Sequence, residues 1–177
     1  GYASIIIQDS AGSGKASEFN RKILQNNTLI ASIKMPVDIF IGKSNVQTSI
    51  YVFKVGEKHN AKQIVKFIDF RNDGYKRSNR KKAKASSNLQ DVNNASDRYQ
   101  EVSDLVNFGS TYLNLLTKNE YIESTIATSG KDFGNDWNFD RHIIVDSKPT
   151  LEDFQKTITD YLSWEIQQVI KSDEKLG

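Results

Sequence analysis

Cysteine is absent from this 177-residue chain, which excludes a disulfide framework and any zinc site built on thiolates, and favours a cytoplasmic address. Histidine is scarce: His59 and His142 lie far apart in sequence, and no metal site is expected of them. Proline occurs only at Pro36 and Pro149, so no Pro-Pro pair exists. No apolar run approaches the ~20 residues that cross a bilayer, so no spanning helix and no membrane partner are expected. The opening Gly1-Tyr2-Ala3-Ser4-Ile5-Ile6-Ile7 lacks the basic and long apolar regions of a secretory signal. Apolar residues make up 37%, more than a disordered chain carries, and the length supports one core, in one domain or slightly more.

What is present is unevenly spread. The net charge is only +2, but residues 1–84 hold 16 Lys and Arg against 6 Asp and Glu, whereas residues 85–177 hold 8 against 16. Such segregation points to a surface in the first half that faces a polyanion; the other reading is that the two halves neutralise each other by packing. Six of the nine residues from Lys76 to Lys84 are basic: Lys76, Arg77, Arg80, Lys81, Lys82 and Lys84. A segment of this kind gains salt-sensitive affinity for DNA by releasing counterions from phosphates, unless it is simply a solvated loop.

The first half alternates strand and helix. Tyr2–Gln8 is a nearly continuous apolar run, which suits a strand covered on both faces. A helix is expected over 17–25, with Phe19 and Ile23 on its inner face and Arg21, Lys22 and Gln25 in solvent. Leu29–Met35 reads as a second strand with Leu29, Ala31, Ile33 and Met35 on one side, stopped by Pro36. Strand, helix and strand within about 35 residues make a crossover unit with a parallel pair. Thr48–Lys54 and Ile64–Phe70 are further strands, rich in β-branched and aromatic residues, and the polar link between them suits a hairpin. Residues 71–94 read as one long exposed loop.

The second half reads as mostly helical. Ala95–Phe108 carries Tyr99, Val102, Leu105 and Val106 at helical spacing, and a short helix is expected over 110–117. Tyr121–Thr128 suits a strand. Residues 130–141 form an aromatic and polar loop anchored by Phe133, Trp137 and Phe139. A last helix from Leu151 to Lys171 starts at Thr150 as N-cap, with Asp153 three residues on, and carries one broad apolar stripe.

Ala11-Gly12-Ser13-Gly14-Lys15-Ala16, between a strand and a helix, has the look of a phosphate-cradling loop. It lacks the first glycine, where Asp9 stands, and the hydroxyl after the lysine, where Ala16 stands. A tight strand-to-helix turn is the better reading.

Several stretches together carry a family resemblance. Residues 1–7, the small-residue loop and helix after them, Leu29-Ile30-Ala31-Ser32-Ile33-Lys34-Met35-Pro36, Phe40 and Val46-Gln47-Thr48-Ser49-Ile50-Tyr51-Val52-Phe53-Lys54 resemble the back half of an N6-adenine DNA methyltransferase. The nearest class is the modification (M) subunit of type I restriction–modification systems and related single-chain enzymes. Ile64–Asp69 is similar to the family's next strand, and Asn135-Asp136-Trp137-Asn138-Phe139-Asp140-Arg141-His142 to the stretch that ends its catalytic domain.

The resemblance implies an α/β fold: the C-terminal portion of a Rossmann-like methyltransferase sheet, mixed in strand direction, with a mostly helical extension. Residues 1–72 correspond to the end of the catalytic domain, 73–94 to a basic flexible loop and 95–177 to the extension. The family's glycine-rich cofactor loop and its Asn-Pro-Pro-Phe/Tyr motif have no counterpart here. The chain is therefore expected to be part of a longer enzyme, inactive alone, with no catalytic residue of its own. S-adenosylmethionine is implied for the full-length enzyme and for this portion no cofactor is expected. The family role of Phe40 is to stack on the extruded adenine, an extruded base having lost its stacking partners; the competing reading is an ordinary buried phenylalanine. Implied partners are DNA, contacted through the basic run, and specificity and restriction subunits. A reading from another class is a non-enzymatic module for nucleic-acid binding or subunit docking, with the acidic C-terminal helix as partner surface.

Overall fold

The computed structural model describes residues 1–41, 43–78, 89–144 and 150–174, with side chains of the last helix to 171. The apolar runs become β1 (Tyr2–Gln8), β2 (Asn27–Lys34), β3 (Thr48–Val55) and β4 (Val65–Asp69), and helix α1 (Ser17–Leu24) links the first two strands. Strands β5 (Tyr75–Arg77) and β6 (Leu89–Asp91) pair with each other in a separate ribbon. Helix α2 spans Ala95–Phe108, β7 spans Tyr121–Ser124, and α3 spans Leu151–Glu174. The fold is mixed α/β, with one five-stranded sheet in the order β1-β3-β2-β4-β7.

Two pairing expectations fail for a single reason. β1 and β2 run in the same direction, as a crossover unit demands, but β3 lies between them and is antiparallel to both. With both its edges taken, β3 has none to offer β4, so the expected β3–β4 hairpin does not form. β4 instead pairs parallel with β2 and antiparallel with β7.

Each face of the sheet carries its own core. A bulge between Leu29 and Ala31 breaks the alternation of β2, because one extra residue in a strand flips every later side chain. Leu29 thus packs with Tyr51, Phe53, Val65 and Phe67 under Leu24, Trp137 and Phe139. Ile33 and Met35 face the other side, with Ile68, Phe70, Val102, Leu105 and Tyr121. They do not share one face with Leu29 as the sequence pattern implied. All seven residues of β1 are exposed: among the described residues it is an edge strand paired with β3 alone, not one covered on both faces.

Helix α1 buries Asn20 and Leu24, whereas Phe19 is exposed. The polar residue turns inward because its amide donates to the carbonyls of Ala11 and Gly134, both at 2.9 Å. Residues 71–94 are not one exposed loop, since Asp73 is buried and β5 and β6 form within them. The short helix expected over 110–117 shrinks to a 3-10 turn, Ser110–Tyr112. Phe133, Trp137 and Phe139 anchor their loop as expected, and Trp137 meets Tyr51 and Phe53 edge-on with ring centroids 5.5 Å away in both cases.

Residues Gly1–Ile143 form one compact unit and Ile144–Gly177 a second. In the second, Thr150 and Asp153 cap α3 reciprocally: the Asp153 amide donates to the threonine hydroxyl at 3.2 Å, and the Thr150 amide to the carboxylate at 2.8 Å. This is the capping-box arrangement, which satisfies otherwise orphaned amides of the first turn. Leu151, Phe154, Ile158, Leu162, Ile166 and Val169 of its stripe are all exposed. No helix among the described residues is long and apolar enough to cross a membrane.

His59, in the link between β3 and β4, is buried, and among the described residues neither ring nitrogen has a hydrogen-bond partner. Burial pushes its pKa below the ordinary histidine value, since the imidazolium is the form that desolvation penalises. The unfolded chain then binds this proton more readily than the folded one. Stability from this site is full above the ordinary value and is lost as pH falls toward the lowered one. Urea titrations between pH 7.5 and 5.5 are expected to show declining stability, by at most about 1.4 kcal/mol per pH unit for this proton. His59→Leu should flatten that slope; an unchanged slope would remove His59 as its source.

Candidate functional site at the carboxyl edge of the sheet

Because β1, β2 and β4 point the same way, their carboxyl ends share one edge with the start of β3. Open α/β sheets place their ligand sites at that edge. Three connections meet there: residues 9–16 after β1, 35–47 between β2 and β3, and 70–74 after β4.

A charged cluster lines the edge on the Trp137 side. Lys34, the last residue of β2, is buried, and its ammonium pairs with the Asp140 carboxylate and lies 4.0 Å from that of Asp9. Asp9 in turn accepts a hydrogen bond from the Ser49 hydroxyl at 2.6 Å. Opposite Lys34 on the ladder stands Asp69, forked by Arg71 at 2.8 and 2.5 Å. Burial alone would raise the Asp69 carboxyl, but the Arg71 hydrogen bonds outweigh it and hold the group below the usual range. Three carboxylates thus surround two cations, the pairing that allows a lysine to sit out of water.

Residues 135–142 fasten this cluster. The Gly14 amide donates to Asn135 Oδ1 at 2.6 Å, the Asn138 amide group to the Asp9 carbonyl at 2.6 Å, and the Trp137 amide to the Gly12 carbonyl at 3.2 Å. The His142 ring stacks on Phe67 at 3.7 Å. A side chain at Gly12 would run into the Tyr51 hydroxyl, which is why the turn needs glycine there. This is the tight strand-to-helix turn expected, with its glycine-rich stretch closed against the strap.

A second charged node stands on the α2 side. Asp73 is buried and its carboxylate is held by the Arg77 guanidinium, the Tyr99 hydroxyl at 2.8 Å and the Tyr75 amide at 3.0 Å. Burial pulls the carboxyl upward, but these donors prevail and keep it below the usual range. Burial and the bond to Asp73 push the Tyr99 phenol up to about 12. Arg77 reaches further, to Asp38 Oδ1 at 3.3 Å, and so touches the connection after β2.

That connection carries Phe40. It runs through successive turns from the buried Pro36, with Ile39 packed into the second core and Phe40 40% exposed between Val37 and Ile41, also exposed. An exposed ring on a loop whose neighbour Asp38 is tied to the second node is able to stack on a planar partner. Of the basic run, Lys76 is exposed, whereas the Arg77 side chain is 9% exposed and taken by two carboxylates. Arg77 therefore does not present itself to phosphates. Arg80, Lys81, Lys82 and Lys84 lie outside the described residues, as does the flexibility expected of that segment. Among the described residues no cluster of His, Asp or Glu is arranged to hold a metal.

The sequence reading missed Asp9, Lys34, Asp69, Asp73 and Asp140. The available signal was position: Asp9 directly follows β1, and Lys34 and Asp69 are the last residues of β2 and β4, so all three charges stand where strands end at one edge.

Comparison with known proteins yields the family. The family model for N-6 DNA methylase matches residues 1–131. Similar solved structures include a modification subunit assigned to a type I restriction enzyme of Vibrio vulnificus YJ016, with 12% identity, a TM-score of 0.49 and coverage of 81% of this chain and 27% of that one. The methyltransferase subunit of a type I restriction-modification system from Streptococcus thermophilus gives 14%, 0.48, 81% and 26%. A chain from a structure of a type I R-M complex gives 12%, 0.47, 99% and 35%. The chain spans about a quarter to a third of the length of these proteins. No curated protein matches it.

The two arginine pairs, Arg77–Asp73 and Arg71–Asp69, differ in burial, and that sets an expectation for stability. Breaking a buried pair by removing one partner costs about 3–5 kcal/mol, so Arg77→Met should lose that much, Asp73 being fully buried. A solvent-exposed pair is worth about 1 kcal/mol or less, and Arg71 is half exposed, so Arg71→Ala should lose no more. Chemical denaturation of the two variants measures the difference, and equal losses would contradict the contrast.

Proposed function

The chain belongs to the N-6 DNA methylase family, and from that premise we propose that it forms the target-base side of a site-specific adenine-N6 DNA methyltransferase of the type I restriction–modification kind. The observation that carries this reading is the exposed Phe40 ring on the loop that leaves the carboxyl end of β2. The ring stacks on the extruded adenine. Lys76, with Arg80, Lys81, Lys82 and Lys84, contacts the DNA backbone. Residues 1–72 end the catalytic domain, 73–94 supply the basic segment and 95–177 form the extension.

S-adenosylmethionine supplies the methyl group in the complete enzyme. The glycine turn after β1 does not fit it: the Gly14 amide is held by Asn135 and Gly12 abuts Tyr51. Cofactor and catalytic motifs therefore belong to another portion of a cytoplasmic enzyme, and β1 is the seam to that portion. Among the described residues its outer edge is unpaired, and the strand, rich in isoleucine, carries no charge, the kind of edge that proteins keep covered. A second reading, subunit docking, is supported by the exposed apolar stripe of α3, and fits specificity or restriction subunits as partners.

Two measurements test the main reading. Phe40→Ala in the complete enzyme should leave the melting temperature and cofactor affinity unchanged while raising the methylation barrier by about 1–3 kcal/mol, the worth of one base–aromatic stack. A buried role predicts instead a stability loss of about 3–5 kcal/mol and damage to every activity together. The 177-residue chain alone should give no calorimetric signal with S-adenosylmethionine; micromolar binding would overturn the assignment of the cofactor site to another portion.

A further inference from the structure

Arg77 stands in the basic run, yet its side chain is turned into the protein and gripped from two sides. The loop that carries Phe40 is held together by local bonds: Ile39 N–H to Pro36 O at 3.3 Å, Ile41 N–H to Asp38 O at 3.0 Å, and Lys43 and Ser44 N–H to Phe40 O at 2.9 and 3.0 Å. Such turns make a loop compact but do not orient it on the sheet. The ends of the connection are fastened by Met35 in the second core and by Gln47, whose carbonyl accepts from the Asp9 amide at 2.9 Å. Nearer Phe40, among the described residues, Ile39 packs against the second core and Asp38 meets Arg77. An apolar contact is non-directional, whereas a guanidinium fork holds a carboxylate in a fixed geometry.

We propose that Arg77 is a positioning residue for Phe40: it grips buried Asp73 with both terminal nitrogens, shares Nη1 with Asp38, and so sets where the exposed ring stands at the carboxyl edge. The line of contacts is continuous. Phe70, directly after β4, meets Tyr99 edge-on at 4.8 Å; Tyr99 donates to Asp73; Asp73 holds Arg77; and Arg77 holds Asp38, two residues before Phe40. The Arg77 guanidinium also lies over the Tyr75 ring, 5.7 Å from its centroid, which fixes the plane of the fork. A lysine at 77 would keep the charge but lose the planar fork that holds Asp73 in a fixed geometry while Nη1 meets Asp38. The proposal rests on the reading of Phe40 as the base-stacking residue and adds the side chain that aims it.

The test uses Asp38, which is partly exposed, so that Asp73 and Arg77 remain paired and the fold is kept. In the 177-residue chain, Asp38→Asn should speed amide exchange over residues 36–44 about five- to tenfold, as expected when a loop loses one attachment, without change in α2 or the sheet. Arg77→Lys should do the same to the loop, and Asp38→Glu should restore slow exchange. Unchanged exchange in Asp38→Asn would overturn the proposal. In the complete enzyme, Asp38→Asn should slow single-turnover methylation with cofactor affinity intact. Combined with Phe40→Ala it should slow it no further than Phe40→Ala alone, and Asp38→Glu should recover it. If Phe40→Ala is slow and Asp38→Asn is not, the positioning role is wrong. If Phe40→Ala methylates at the normal rate, the base-stacking reading falls, while faster loop exchange in Asp38→Asn still establishes the Arg77 tie.

Discussion

The direction of β3 decides where everything else lies. It fills the slot between β1 and β2 and runs against both, so the connection from β2 must begin and end at the same edge of the sheet. That geometry places residues 35–47 beside the ends of β1 and β4 rather than carrying them across a face. An antiparallel neighbour can be joined by a short loop, whereas a parallel one needs a crossover of a dozen or more residues. Phe40 stands at the carboxyl edge because of this one reversal, and so do the charges that flank it.

Burying those charges is energetically demanding. Lys34 and Asp73 are both withdrawn from water, and an isolated ion in such a place would lose its charge rather than stay. Each is retained because donors or acceptors converge on it from separate parts of the chain. Asp9 and Asp140 meet Lys34 from positions far apart in sequence. Tyr75, Arg77 and Tyr99 meet Asp73 from a strand and a helix. The strap of residues 135–142 makes the first arrangement possible, closing one core with Trp137 and Phe139 while delivering Asp140 to Lys34.

How much of this was legible in the sequence depends on how local the cause is. The strands and α2 were legible because β-branched runs and helical spacing act over a few residues; the helix over 95–108 appears where its spacing placed it. Strand order was not, since nothing within Thr48–Val55 or Val65–Asp69 says that β3 would have both edges occupied. The Leu29–Ala31 bulge was invisible to a period-two pattern. Asn20 misled because its amide bonds to two carbonyls more than a hundred residues apart. Arg77 was grouped with its basic neighbours because composition does not reveal that a carboxylate four residues earlier is buried and waiting for a partner. Phe40, by contrast, stood out through its resemblance to a known pattern, and its exposure on a loop at the carboxyl edge is a separate, geometric fact.

The two charged nodes are poor devices for stability alone. Well-packed apolar groups of similar volume often hold a core together as well as a buried ion pair. What ion pairs add is direction: a fork that meets a carboxylate in one geometry and no other. At this edge the distinction matters, because the loop between β2 and β3 presents four exposed apolar side chains among the described residues, Val37, Phe40, Ile41 and Val46, any of which would gain by collapsing onto the surface nearby. Near its middle, a loop held by the non-directional packing of Ile39 resists such a collapse weakly. With Asp38 held from the Asp73 node, collapse requires breaking a directional bond to a guanidinium that is itself fixed. Keeping an aromatic ring exposed is thus a structural task, and the charges around it are suited to that task.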